Sequence, residues 1–112
     1  MGWALPALIG AHFADASREK LCIAGDGSFM MTMQELATVL HHKINLKLLI
    51  INNSGYSMIK QTQDQWLGSN YVASSEEGGL SFPDYQKIAE AFKLKYISLS
   101  KSSDMDEKIS SF

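Results

Sequence analysis

The sequence predicts an α/β fold of three layers, with helices on both sides of a mostly parallel sheet, and three observations predict it. Two short apolar runs, KLCIA at 20–24 and LKLLIIN at 46–52, have the length and composition of buried strands. Each leads directly into a turn-forming cluster, GDGS after the first and NNSGY after the second. Segments with apolar residues at helical spacing flank and separate these runs. The resulting order is helix, strand, helix, strand, long loop, helix, strand, helix, the alternation that parallel strands with helical crossovers require.

The first helix is expected over residues 6–14. Pro6 suits a first helical turn, and Leu8, Ile9 and Phe13 supply an apolar face. The opening MGWALPALIGAHFA is apolar for about a dozen residues. It lacks a basic leader and falls short of the ~20 apolar residues that cross a bilayer, so it reads as a buried helix rather than a signal peptide or anchor. Residues 20–24 form the first strand, with Cys22 in the core. Thr32 followed by Glu35 matches a capping box, and Met33, Leu36, Ala37 and Leu40 then recur at helical spacing. His41 and His42 fall at that helix's end, where they face the negative pole of its dipole; no catalytic role is assigned to them.

The run at 46–52 is continuously apolar, as a parallel strand covered on both faces would be. Residues 53–79 are polar and turn-rich, with one helical turn expected near 58–63. Loops of this length are usually functional or mobile, and Trp66 with residues 61–65 fits either a lid or a solvated loop. Tyr85, Ile88, Ala89 and Phe92 mark a helix after Pro83, and KYISLS at 95–100 reads as a third strand. Ser103 with Asp106 starts one more helix, which the end of the chain at Phe112 cuts short. Both ends look cut, and residues 1–112 are expected to be part of a larger domain.

At 46% hydrophobic and 20% charged, the 112 residues have an ordinary globular composition. The net charge of −2 is spread without a basic stripe, which argues against a nucleic-acid partner, and nothing in the pattern calls for a membrane. A single cysteine excludes an internal disulfide and suits a reducing cytoplasm.

In an open parallel sheet, ligands bind beyond the carboxyl ends of the strands. Both turn clusters occupy that position, and if the two strands are neighbours the clusters share one crevice. Gly25, Gly27 and Ser28 are small enough for backbone N–H groups to approach an anion beside a helix N-terminus. Asp26 would repel a bare phosphate, unless a divalent cation lies between them. Magnesium takes oxygen ligands and is commonly held by one or two protein groups together with phosphate oxygens. Asp26 offers an anionic oxygen, Asn53 a neutral amide oxygen, and the loop after it a backbone carbonyl. Each cluster alone is an ordinary turn; paired at two strand ends they make a diphosphate–magnesium clamp. A dinucleotide fingerprint is not met, because Met30 stands where its third glycine belongs. A magnesium-dependent phosphatase of the haloacid dehalogenase type shares Gly-Asp-Gly, but here Phe29 and Met30 follow Ser28 and that family's nucleophilic aspartate has no counterpart.

Gly25-Asp26-Gly27, 24 residues, then Asn52-Asn53 resembles the cofactor motif of the thiamine diphosphate-dependent 2-oxo-acid enzymes, and within them the acetolactate synthase-like proteins. MGWALPALIGAHFA is similar to that family's segment ahead of the motif, GDGSFMMTMQELATV to the motif itself, and GLSFPDYQKIAEAF to a downstream helix. The resemblance implies a C-terminal thiamine diphosphate-binding domain in which Asp26, the Asn53 side chain and the Gly55 carbonyl hold Mg2+. It also implies that Gly27 and Ser28 contact the diphosphate, that Met1 lies on the segment near the aminopyrimidine ring, and that Tyr56 and Met58 lie near the cofactor.

The family's chemistry decarboxylates a small 2-oxo acid such as pyruvate and passes on the two-carbon unit. Its activating glutamate comes from the pyrimidine-binding domain of a partner subunit, so the resemblance implies a homodimer or homotetramer. No residue of this chain matches that glutamate; Glu35 is read as the capping residue. Ser54-Gly55-Tyr56 replaces more polar residues of biosynthetic acetolactate synthases, which leaves the acceptor substrate open. A non-catalytic binding or assembly module with the same fold is the alternative.

Overall fold

The computed structural model describes residues 1–110. The chain divides into two compact units, Met1–Phe82 and Pro83–Phe112.

The first unit opens with helix α1 (Ala4–Ala14), which starts two residues before Pro6 and keeps that proline in the first turn, where no N–H is needed. Its buried residues are Leu5 and Ile9, an i, i+4 pair, whereas the expected Phe13 is 60% exposed. Helix α1 packs against strand β1 (Leu21–Gly25). Strand β2 (Lys47–Ile51) pairs with β1 in parallel, from Leu21 opposite Lys47 to Gly25 opposite Ile51. This register places the carboxyl ends of the strands side by side.

The fold is thus α/β with a parallel sheet, and among the described residues that sheet has two strands. Cys22 and Ala24 are buried, while Leu21, Ile23, Leu49 and Ile51 are exposed on the opposite face. Both faces were expected to be covered; within this unit one face is.

Two helical expectations need correction. After β1 comes a short helix α2 (Asp26–Met30), then a 3-10 turn (Met33–Glu35) running into helix α3 (Leu36–His42). The 3-10 turn moves the start of α3 away from Thr32, so the capping box does not form. The Thr32 side chain makes no cap hydrogen bond; its carbonyl accepts from Glu35 N at 2.9 Å, and the Glu35 carboxylate accepts from the Thr38 hydroxyl at 3.3 Å. The buried residues of α3 are Leu36 and Val39, with Leu40 41% exposed. Lys43, in the left-handed region at φ 52°, closes the helix in the position glycine usually takes. Beyond β2, helix α4 (Ser57–Trp66) is ten residues long, more than the single turn expected at 58–63.

In the second unit, helix α5 (Tyr85–Ala91) is capped by Asp84, whose carboxylate accepts from Gln86 N at 3.0 Å and Lys87 N at 3.2 Å. Residues 95–100, expected as a third strand, join no ladder. Apolar composition gives a segment strand character, but only a neighbour that takes its N–H and C=O groups makes it a strand. A 3-10 turn (Ser102–Asp104) continues into helix α6 (Met105–Ser110), in line with the helix start read at Ser103; Phe112 lies outside the described residues.

Candidate functional site

The site is assembled at the paired carboxyl ends of β1 and β2. Gly25 ends β1 with extended backbone (φ −72°, ψ 155°), and Asp26 is the first residue of α2. This abrupt change from strand to helix turns the Asp26 side chain towards the neighbouring strand end. Asp26 is 1% exposed, a burial that a carboxylate tolerates only when its oxygens are satisfied.

Three backbone groups satisfy them. Asp26 Oδ1 accepts from Gly27 N at 2.8 Å, and Oδ2 accepts from Asn53 N at 3.2 Å and from Gly55 N at 3.3 Å. One carboxylate therefore ties the first turn cluster to the second across the sheet. Asn52 and Asn53 shape the second cluster locally. The Asn52 side-chain oxygen accepts from Ser54 N at 3.2 Å, with Ser54 in the left-handed region at φ 54°, and Asn53 Nδ2 donates to Ser57 Oγ at 2.7 Å. The Asn53 amide oxygen is thereby turned away from its Ser57 partner.

All nine residues nominated from the sequence line one cleft of about 210 Å3: Met1, Gly25, Asp26, Gly27, Ser28, Asn53, Gly55, Tyr56 and Met58. Ser57 also lines it and was not nominated; its short polar side chain carries no periodic signal, and its place follows from the Asn53 contact. Met1 is brought in by the Gly2 N–H, which donates to Ser28 Oγ at 2.8 Å. Part of the cleft is taken by the Tyr56 ring, which lies against Gly27. Glu35, His41, His42 and Trp66 do not line the cleft. Cys22 is buried on the inner face of β1, and burial pushes its thiol above its ordinary range, which makes it a packing residue rather than a nucleophile. In the second unit a larger open depression of about 440 Å3 is lined by Glu90, Tyr96 and Lys108 among others, on a helix flank rather than at strand ends.

The donor set can be tested against a magnesium diphosphate. An ionised carboxylate offers about four lone-pair sites, and three are engaged by backbone N–H groups, which leaves one on Oδ1. One monodentate carboxylate, one side-chain amide oxygen and backbone carbonyls are the hard oxygen donors that magnesium accepts alongside phosphate. Among the described residues no three His, Cys, Asp or Glu side chains gather as a metal site, so any cation held here would rely on such mixed donors. The residues present fit the group.

Comparison with known proteins follows the same direction. Residues 1–112 match the family described as "Thiamine pyrophosphate enzyme, C-terminal TPP binding domain". The chain is 38% identical over 109 residues to the acetolactate synthase large subunit of Porphyra purpurea, covering 97% of this chain and 18% of the relative. It is 39% identical over 109 residues to that of Pyropia yezoensis, with the same coverage. With the acetolactate synthase isozyme 1 large subunit of Escherichia coli (strain K12) the identity is 35% over 104 residues, 93% of this chain and 18% of the relative. The chain thus spans about a fifth of the length of these relatives.

Proposed function

Because the chain belongs to the thiamine pyrophosphate enzyme family, through the C-terminal TPP-binding domain, we propose that it binds thiamine diphosphate (the same cofactor) through Mg2+ as part of an acetolactate synthase-like enzyme. That enzyme decarboxylates a pyruvate-like 2-oxo acid and transfers the two-carbon unit. The observation that supports this reading best is the convergence of Asn53 N and Gly55 N on Asp26 Oδ2, which unites the two strand-end clusters around one buried carboxylate.

In this reading Asp26, Asn53 and the Gly55 carbonyl hold the metal. Gly27, whose missing side chain allows close approach, and the Ser28 backbone N–H meet the diphosphate, where the local peptide dipoles favour negative charge. Met1, Tyr56 and Met58 supply apolar surface to the organic part of the cofactor and exclude water from it. When bound, thiamine diphosphate supplies the nucleophilic carbon and the electron sink for decarboxylation, and the protein's part is binding, orientation and a dry setting. Proton transfer at the aminopyrimidine falls to a glutamate on the pyrimidine-binding domain of a partner subunit, within a homodimer or homotetramer. Residues 1–112 form part of the C-terminal domain of that enzyme, catalytically silent alone and acting in the cytoplasm. No helix among the described residues is long and apolar enough to cross a membrane.

Titration calorimetry of the full-length protein with thiamine diphosphate, with and without Mg2+, tests the proposal. Binding that requires Mg2+ and is lost in Asp26→Ala is expected. Unchanged affinity in Asp26→Ala would remove the metal assignment, and no binding by the wild-type protein would favour the non-catalytic assembly role.

A further inference from the structure

Helix α4 and the loop behind it enclose a polar cluster that neither the motif nor the cleft accounts for. Gln63 is 7% exposed, Ser74 0% and Ser75 3%, although they lie in the most polar stretch of the chain. The Gln63 side chain uses both ends: its Oε1 accepts from Ser74 Oγ, and its Nε2 donates to the Val72 carbonyl at 3.0 Å. The Gln63 carbonyl accepts from Leu67 N at 2.9 Å and Ser69 N at 3.0 Å. One residue therefore folds the 67–74 loop back onto α4.

The far side of that loop reaches the site. Ser74 O accepts from Tyr56 N at 3.0 Å, and Gly55 bridges Ser75 in antiparallel fashion. A side chain at Gly55 would place its Cβ 2.9 Å from Ser74 O, so the close approach requires glycine. Gly55 N in turn donates to Asp26 Oδ2. An unbroken path of hydrogen bonds and one close backbone contact thus runs from Gln63 through Ser74 to Gly55, Tyr56 and Asp26.

We propose that Gln63 is a positioning residue for the metal-binding loop, acting through Ser74 to fix the backbone of Gly55 and Tyr56 against Asp26. An apolar residue would fill this interior position without the need to satisfy two polar ends, whereas the amide dictates where the Val72 and Ser74 groups sit. The proposal rests on the reading that this loop holds the metal.

The test uses the full-length protein with Gln63→Leu, Gln63→Glu and Ser74→Ala. Thiamine diphosphate and Mg2+ affinities are measured by calorimetry, hydrogen exchange is followed in residues 53–58, and thermal unfolding is recorded. Gln63→Leu should weaken Mg2+-dependent cofactor binding by about ten-fold or more, the effect of removing an outer partner of a metal site, and should speed exchange in 53–58. Gln63→Glu should behave alike at neutral pH and regain affinity relative to wild type as pH falls, because a protonated carboxyl restores the donor to Val72 O. Lower thermal stability with unchanged affinity and unchanged exchange in 53–58 would overturn the proposal. If Gln63→Leu does not fold, Ser74→Ala, which removes one hydrogen bond and little volume, gives the same readouts. Should the wild-type protein bind no thiamine diphosphate, the functional reading fails, and exchange in 53–58 still decides whether Gln63 positions the loop.

Discussion

The ring of Tyr56 lies so close to Gly27 that a methyl group added at Gly27 would overlap the ring's Cδ1 and Cε1 atoms. The second glycine of the motif therefore seats an aromatic side chain from the other strand end, a role apart from the approach to an anion that the proposed function gives it. Gly27→Ala should cost about 1–3 kcal/mol through overpacking, because either the ring or the loop must move. In a Tyr56→Ala background the obstruction is gone, and the same substitution should be nearly neutral. A double-mutant cycle by thermal unfolding reads the coupling; strictly additive effects would show that the two residues do not meet.

Asp26 accepts from three backbone N–H groups, and the proposed function adds a second, separable duty, donor to a cation. Asp26→Ala leaves the N–H groups of Gly27, Asn53 and Gly55 without their acceptor, at about 1–3 kcal/mol for each of the two buried bonds, those of Gly27 and Gly55, and less for the part-buried Asn53 bond. Asp26→Asn keeps an oxygen for Asn53 N and Gly55 N but removes the charge. The expected result is a large fall in melting temperature for alanine and a smaller one for asparagine, with Mg2+-dependent cofactor binding lost in both. An asparagine variant that binds Mg2+ and cofactor like wild type would exclude the metal role.

What could be read from the sequence divides along the range of the interactions involved. Gly25 to Ser28 and Asn52 to Tyr56 were legible as turns because glycine, aspartate and asparagine act on their own backbone, and the apolar runs fixed the strands that precede them. That both clusters meet followed from the parallel pairing of two such strands. The capping box failed because a three-residue 3-10 turn, invisible in periodicity, lies between Thr32 and α3. The third strand failed because ladder partners are not written into a strand's own residues. Gln63 was hidden for a related reason: its burial depends on Val72 and Ser74, and its composition suggested a solvated loop. The Tyr56–Gly27 contact was likewise out of reach, since residue type placed both at the site but nothing in the spacing put one on the other.

Burial sets the behaviour of Cys22. Desolvation holds the native thiol above its ordinary range, whereas in the unfolded chain it ionises within that range. As pH rises through the ordinary thiol range the unfolded state loses its proton first, so this group's contribution favours unfolding increasingly with pH and is absent at lower pH. Labelling with a thiol reagent near neutral pH should be slow in the native protein and fast in denaturant. Cys22→Ala should flatten the alkaline part of the stability–pH profile. Native labelling as fast as that of the unfolded chain would contradict the burial of this side chain.

Ser28 links the motif to the start of the chain. Its hydroxyl oxygen accepts from Gly2 N at 2.8 Å, leaving the hydroxyl proton for an acceptor in the cleft, and the link holds Met1 at the cleft wall. Gly2 takes a left-handed conformation at φ 75°, and a Cβ there would come within 3.2 Å of Met31 Cβ, so the segment depends on glycine as well as on the hydrogen bond. Ser28→Ala removes the acceptor, frees Gly2 and Met1 and, on the proposed function, withdraws the hydroxyl from the diphosphate. A net hydrogen bond of about 0.5–1.5 kcal/mol corresponds to about two- to ten-fold weaker cofactor binding, which calorimetry resolves. Ser28→Thr keeps the hydroxyl and should retain more affinity than Ser28→Ala. Gly2→Ala, which strains the backbone but leaves the Ser28 side chain in place, should weaken binding if Met1 contributes to the site. Wild-type affinity in both Ser28→Ala and Gly2→Ala would show that neither Ser28 nor the segment bearing Met1 belongs to it.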